Sequence, residues 1–226
     1  MSARTERPLA PSIDIIVPVL DEARLLPGLL EHLTRRPGWN RCIVVDGGST
    51  DASVALARRH PLQPLVLQVP GGRHRQLNRA LACSRADAVL VLAADLRLGA
   101  SALPAMQRCL LAGARHGCLW QRSARRSLLY RWQDACSRLR ARHTGGAYMD
   151  QTPFFLRRSL LACGGFRNLG SYDTADAGRR LHRPLAVAPG IAISSCRAWH
   201  DGFLRPTLAN QRKRLQHLGV WPVGRR

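Results

Sequence analysis

An α/β fold with a mostly parallel central sheet and helices on both faces is the architecture this sequence predicts, and three observations carry that expectation. Apolar runs at 13–17, 43–45, 65–69 and 88–93 each give way to turn residues and then to a helix-like stretch, the alternation of a parallel sheet. Two of these runs end on carboxylates: Ile13-Asp-Ile-Ile-Val-Pro-Val-Leu runs into Asp21-Glu22, and Ile43-Val-Val into Asp46-Gly47-Gly48. The chain has 226 residues, 46% of them hydrophobic, which suffices to bury one substantial core. In open α/β sheets ligands bind beyond the carboxyl ends of the strands. Both acidic groups are therefore expected on one rim.

The elements follow in order. After the first strand, Leu25, Leu26, Leu29, Leu30 and Leu33 recur at helical spacing, predicting a helix over 22–34. Further helices are predicted at 51–59, 76–85 and 101–114, the last capped by Ser101 with Pro104 in its first turn. Beyond 118–121 the regularity fades. The stretch 122–142 is basic, with an apolar stripe of Leu128, Leu129, Trp132 and Leu139, and reads as a helix crossing the open end of the sheet. Thr144-Gly-Gly, the stretch 150–156, Gly164-Gly165-Phe166, a short helix near 175–181 and a basic helix at 204–218 complete the chain. We read one domain over 1–226, with a donor half at 1–121, an acceptor half at 122–203 and a basic helix and tail at 204–226. No internal repeat or low-complexity linker interrupts it.

The formal charge is +21, from 35 basic against 14 acidic residues, and Lys213 is the one lysine. An arginine bias of this kind scatters over solvated faces unless a polyanion selects one face. The expectation is solvated surface first, an anionic membrane or ligand second, and no nucleic acid. The seven cysteines, Cys42, Cys83, Cys109, Cys118, Cys136, Cys163 and Cys196, form no Cys-x-x-Cys pair and read as buried hydrophobes of a reducing compartment. No window approaches the roughly 18 apolar residues of a membrane span. A cytoplasmic protein is expected; its last helix, where Leu204, Leu208, Leu215 and Leu218 accompany Arg212, Lys213 and Arg214, could rest on anionic lipid or equally dock against the domain.

The chain has no Gly-x-x-x-x-Gly-Lys-Ser/Thr loop, and Asp46-Gly47-Gly48-Ser49 lacks the spacing of a dinucleotide fingerprint. What remains at the second strand end is a carboxylate able to accept from a base N–H or ribose hydroxyls, with glycines that let a flat ring approach the backbone. The plainer alternative is that Asp46 or Ser49 caps the next helix. Pro70-Gly-Gly-Arg73-His-Arg-Gln-Leu-Asn78 opens a helix with amides and arginines toward the same rim, suiting a diphosphate; an ordinary glycine turn with solvated arginines is the alternative. Val89-Leu-Val-Leu-Ala-Ala-Asp95 ends on an aspartate that could join a divalent metal bridging nucleotide phosphates, with His200 as a late partner. His200 reads first as a hydrogen-bonded structural histidine, and Trp120, Trp132 and Trp199 read as core or groove walls.

Taken in order, Val17-Pro18-Val-Leu-Asp21-Glu22, Val44-Val-Asp46-Gly-Gly-Ser-Thr-Asp51, Gly72-Arg73-His-Arg-Gln-Leu-Asn78, Leu92-Ala-Ala-Asp95, Asp150-Gln151, Gly164-Gly-Phe166 and Arg179-Arg-Leu181 resemble the family 2 glycosyltransferases of GT-A fold. Within them the chain looks most like a compact bacterial branch associated with radical-SAM and selenium-domain proteins. The resemblance implies a nucleotide-diphosphate-sugar donor, inverting transfer to a hydroxyl of a small-molecule or lipid-linked acceptor, and Mg²⁺ or Mn²⁺. It places Pro18, Asp21, Glu22, Asp46, Gly47, Gly48, Arg73, Asn78 and Asp95 around the donor. It places Asp150, Gln151 and Trp132 on the acceptor side, and Asp95 and His200 at the metal.

Two departures qualify the match. Relatives end the fourth strand on His-Ala-Asp-Thr or Asp-x-Asp, whereas here Ala93-Ala94-Asp95-Leu96 removes a polar partner on each side, so weaker metal affinity is expected. The position of their general base falls on Thr174, which cannot accept a proton near neutral pH; Asp173 or Asp176 could replace it, or the protein is catalytically weak. A non-catalytic nucleotide-sugar binder and a peripheral membrane or polyanion binder are the competing expectations.

Overall fold

The computed structural model describes residues 10–125 and 127–195. Cys196, Trp199, His200 and the basic helix expected at 204–218 lie outside the described residues. The core is an eight-stranded sheet in the order β3-β2-β1-β4-β7-β6-β8-β5. Strand β1 (Ile13–Val19) pairs in parallel with β2 (Arg41–Asp46) and β4 (Ala88–Val91), and β2 in parallel with β3 (Leu65–Gln68). Those strands read as near-continuous apolar runs because both of their faces are covered. Ile13, Ile15, Val17 and Val19 pack on α1 (Leu26–Thr34) and α4 (Ala102–Leu111). Ile16, Ile43 and Val45 point the other way, into a second cluster with Leu77, Ala80 and Leu81 of α3 (Arg73–Cys83). Helix α2 (Ser53–Arg59) contributes Ala57 to the first cluster. Ser101 does occupy the cap position of α4, but its hydroxyl makes no capping bond.

The second half of the sheet is mixed, so the expectation of a mostly parallel sheet holds for only part of it. Strand β7 (Pro153–Leu156) enters antiparallel to both β4 and β6 (His116–Ser123). Strand β8 (Ala186–Ser194) runs parallel to β6 and carries the short edge strand β5 (Leu96–Leu98) antiparallel to it. Between Ala188 and Ile191 the β6–β8 register slips, with Pro189 and Gly190 left over as a bulge. Helices α6 (Arg157–Ala162) and α7 (Asp173–Arg180) lie on the α3 face. The expected helix in 122–142 is α5 (Leu128–Thr144), but with its faces reversed. Tyr130, Asp134, Ser137 and Ala141 are buried, while Leu128, Leu129, Trp132 and Leu139 are exposed at 80%, 45%, 63% and 58%. On the inner face Asp134 accepts from the Ser123 amide and hydroxyl, and the Ser137 carbonyl accepts from Gln151.

His116 is buried on β6, stacked on Phe155 with ring centroids 6.5 Å apart, and its Nε2 lies 3.2 Å from the Gly145 carbonyl oxygen. Burial pushes its pKa below the ordinary 6.5, the bond to Gly145 opposing only in part. His32 is lowered likewise by burial, against its bond to the Leu98 carbonyl and helped by neighbouring arginines. Between the folded and unfolded values the unfolded chain binds the extra proton. Stability is therefore full above pH about 6.5 and falls as the pH drops below it. Urea unfolding at pH 7.5 and 5.5 should give a lower midpoint at 5.5, and the His116→Gln variant should show a smaller drop. An equal drop in that variant would remove His116 as a source.

Candidate functional site

The rim is built where β1 and β2 end. Asp21 sits there at φ +54°, a left-handed conformation that aspartate tolerates better than most residues. Its Oδ1 accepts from the Thr50 amide at 2.8 Å, and its own amide donates to the Ser49 hydroxyl at 2.9 Å. Asp51 returns the favour, accepting from the Ala23 amide at 2.9 Å and from the Ser53 amide and hydroxyl. The Ser53 hydroxyl bond, aided by those amides, holds the Asp51 carboxyl below its ordinary pKa. The loops after β1 and β2 are thus joined into one piece. Asp46 is completely buried, and its carboxylate accepts from the Gly48 and Ser49 amides and the Ser49 hydroxyl. Asp46 caps no helix, since α2 begins at Ser53 without a side-chain capping bond; its carboxylate folds the Asp46–Ser49 turn from inside instead of facing the rim.

Above this turn lies a cavity of about 310 Å³, lined by Pro18, Leu20, Glu22, Gly47, Gly72, Arg73, Gln76, Ala93, Ala94 and Met149, among others. Gln76 is its unanticipated keystone. From α3 its buried Nε2 donates to the carbonyls of Val19 at 3.0 Å and Val45 at 2.7 Å, tying the last residue of β1 to the penultimate residue of β2. A Cβ on Gly47 would stand 3.0 Å from the same nitrogen, so glycine keeps this floor open. Gln76 lies within the Gly72–Asn78 motif, directly after Arg73 and Arg75, the two arginines expected to face the rim. Met149 and Leu20 carried no sequence signal of this kind.

Arg73, expected at the donor phosphates, points across the molecule. Its Nε and Nη2 donate to Asp173 Oδ2 and Oδ1, each at 2.8 Å, and Nη2 also reaches the Gly170 carbonyl at 2.7 Å. Asp173 is fully buried, and its Oδ1 also accepts from the Thr174 amide at 2.6 Å. The Thr174 hydroxyl donates to the Ala147 carbonyl. Asp176 is engaged elsewhere: Arg180 binds it at 2.8 Å while donating to the carbonyls of Cys163 and Gly165. Asn78 leaves the donor side as well, since its amide clasps the Phe166 backbone with two bonds of 2.8 Å. Asn78 and the Asp176–Arg180 pair hold the 163–166 turn and line no part of the cavity.

Asp95 is half-buried in the turn between β4 and β5, its Oδ2 accepting from the Ser195 hydroxyl at 3.0 Å. Beside it Arg97 donates to the Ala94 and Leu96 carbonyls, and burial lowers its pKa while the Asp95 charge opposes that. Among the described residues no three of His, Cys, Asp and Glu gather to hold a metal. Asp95 is a hard oxygen donor of the right kind, but one carboxylate beside an arginine does not make a metal centre. On the acceptor side Gln151 is buried against Ser137 and the Tyr148 amide, so it braces the 3-10 turn Met149–Gln151. Asp150 is half-buried on that turn, and Trp132 is exposed on α5 and does not line the cavity.

A cavity at the carboxyl ends of parallel strands, floored by a glycine turn and flanked by an arginine on a helix N-terminus, marks a nucleotide-binding α/β protein. Residues 14–161 match the family described as Glycosyl transferase family 2, and the chain belongs to that family. No curated protein matches it. Among solved structures it is similar to a mannosyltransferase from Pyrobaculum calidifontis in complex with GDP-Man and Mn²⁺, at 22% identity and TM-score 0.65, covering 92% of this chain and 62% of that one. It is also similar to glucosyl-3-phosphoglycerate synthase from Mycobacterium tuberculosis with Mn²⁺, UDP and glucosyl-3-phosphoglycerate (19%, TM-score 0.62, 95% and 82%). A third is S. aureus TarS 1-349 in complex with UDP-GlcNAc (18%, TM-score 0.57, 81% and 56%). These likenesses establish the GT-A fold. The chain spans a little under two thirds of the mannosyltransferase and a little over half of TarS 1-349.

Removing Arg73 would strand a buried carboxylate. Arg73→Ala should therefore lower unfolding stability by about 3 kcal/mol or more, whereas Asp173→Asn, which keeps the shape and neutralises the buried charge, should cost less. Urea melts of the two variants check this, and an Arg73→Ala melt equal to wild type would show that the pair does not persist in solution.

Proposed function

We propose that this chain is a glycosyltransferase that moves a sugar from a nucleotide-diphosphate donor to an acceptor hydroxyl with inversion at the anomeric carbon. The observation that carries the reading is the cavity joining Pro18, Glu22 and Gly47 to Arg73. In such a transfer the acceptor oxygen bonds to the anomeric carbon as the bond to the diphosphate oxygen breaks. The leaving group takes the electron pair and a base takes the hydroxyl proton. Glu22 and Gly47 suit the nucleoside, as does the loop that Asp21, Asp46 and Gly48 shape, and Arg73 suits the diphosphate. Of the two candidate bases, Asp173 is one ion pair from the cavity, whereas Asp176 is held by Arg180 on the 163–166 turn. A diphosphate that drew Arg73 toward itself would release the Asp173 carboxylate from its ion pair.

A divalent cation would find one described carboxylate, Asp95, and the rest of its ligands would come with the donor and water; no step is routed through it. Asp150 and the half that follows residue 121 would meet the acceptor. The motif order supports the compact radical-SAM-associated branch, and the free cysteines support a reducing cytoplasm. Burial pushes Cys42 and Cys118 up to about 12, as inert core thiols require. Among the described residues no helix is long and apolar enough to cross a membrane. A second reading, a nucleotide-sugar binder without turnover, is favoured by one observation: both candidate bases sit in ion pairs.

A thermal-shift panel of UDP, GDP and their sugars, with and without Mn²⁺, tests the pocket first, because ligand stabilisation follows mass action. A shift with at least one nucleotide is expected, and none with any would sink both readings. Donor hydrolysis and transfer then separate them. Asp173→Asn should cut turnover by about 10²–10⁴-fold while keeping the nucleotide shift. Asp95→Ala should lose the extra shift that Mn²⁺ confers, and an unchanged Mn²⁺ increment would take Asp95 out of the site.

A further inference from the structure

We propose that the outer face of α5 is a docking surface for an anionic phospholipid bilayer. Leu128, Trp132 and Leu139 recur at i, i+4 and i+11, one stripe of a helix, and stand opposite the buried Tyr130, Asp134, Ser137 and Ala141. A stripe at 58–80% exposure is the reverse of what burial alone selects, because apolar area gains most when it leaves water. Alongside runs Arg131, with Arg138 and Arg142 at i+7 and i+11 in the same row. At the N-terminal end of the helix Arg122, Arg125 and Arg131 line a cavity of about 320 Å³ together with Ser123 and Asp134. Both Asp134 oxygens are engaged by Ser123, and among the described residues none of these three guanidinium groups has a hydrogen bond or ion pair of its own.

An apolar ridge of leucine and tryptophan beside a row of arginines is the chemistry of an interfacial helix, with the ridge at the acyl boundary and the guanidinium groups on lipid phosphates. Charge decides between occupants. A second copy packed on the same face would set Arg131 and its neighbours near their own counterparts. The segment 196–226 is itself basic, with Arg212, Lys213 and Arg214. Only an anionic surface matches both parts of the face. The inference stands apart from the donor reading, since it is measured with no nucleotide present.

The test is vesicle binding by full-length protein, using phosphatidylcholine alone and phosphatidylcholine with about a third phosphatidylglycerol. A chain of charge +21 sticks to anionic vesicles through charge alone, so the decisive readings are depth and salt. Bilayers carrying bromine on the upper acyl chain should quench wild-type tryptophan fluorescence, and Trp132→Phe should lose most of that quenching at equal binding. Leu128→Glu/Trp132→Glu should weaken binding at 0.3 M salt at least 10-fold, and Arg122→Ala/Arg131→Ala should weaken it at low salt. Leu208→Glu/Leu215→Glu should do neither. Circular dichroism melts confirm that each variant folds, as the exposure of the α5 positions predicts. Quenching that survives in Trp132→Phe, or binding lost only in the Leu208→Glu/Leu215→Glu variant, would overturn the proposal. Dimerisation by wild type that Leu128→Glu/Trp132→Glu abolishes, without membrane insertion, would overturn it too.

Discussion

Arg73 and Asp173 stand 100 residues apart in sequence and are joined by two parallel hydrogen bonds inside the protein, and much of the rest follows from that contact. A buried carboxylate needs a cation and donors around it, and Asp173 has the Arg73 fork, the Thr174 amide and the first turn of α7, whose helix end favours negative charge. Arg73 in turn opens α3, the helix whose Gln76 closes the ends of β1 and β2. Through this pair the parallel half of the sheet and the elements beyond β7 share one rigid centre. The same pair lies at the wall of the cavity, so a ligand anion competes directly with an internal carboxylate for one guanidinium.

The other acids at the strand ends are used for shape. Asp21, Asp46 and Asp51 together hold two loops by accepting from backbone amides, and what they give the cavity is a fixed outline and not free charge. Arg73 and Glu22 remain as the charged side chains lining it. The long-range field of a strongly basic chain adds to this, drawing phosphates inward at low ionic strength. Nucleotide capture should therefore rest on shape near the base and on charge near the diphosphate.

The sequence made the parallel half legible because strands covered on both faces read as apolar runs and glycine punctuates their ends. The other half resists such reading for identifiable reasons. Strand β7 is four residues long and begins with Pro153, β5 has three residues, and β8 is broken by Pro189 and Gly190. In α5 the apolar period revealed a helix but not which side faces inward, since its inner face is a polar network of Asp134, Ser137 and Gln151. The site shows the same division. Periodicity and turn chemistry located Asp21, Asp46 and Arg73, and the family resemblance pointed to Asp173, but nothing local to 73 or 173 discloses that they pair, or that Asn78 clasps Phe166.

The reversed helix also bears on what reaches the cavity. Its N-terminal end follows Ala124, whose amide donates to the Ser194 carbonyl, one residue from the Ser195 that holds Asp95. At its other end the Thr144 carbonyl accepts from Arg179 of α7, the helix that Asp173 begins. One rigid helix thus spans the ground between the two carboxylates whose roles matter most, with its solvent face apolar and basic. A bilayer held against that face would fix both ends of the site relative to the lipid surface. An acceptor hydroxyl carried on a lipid would then be confined near the rim, which raises its local concentration without any new contact to the protein.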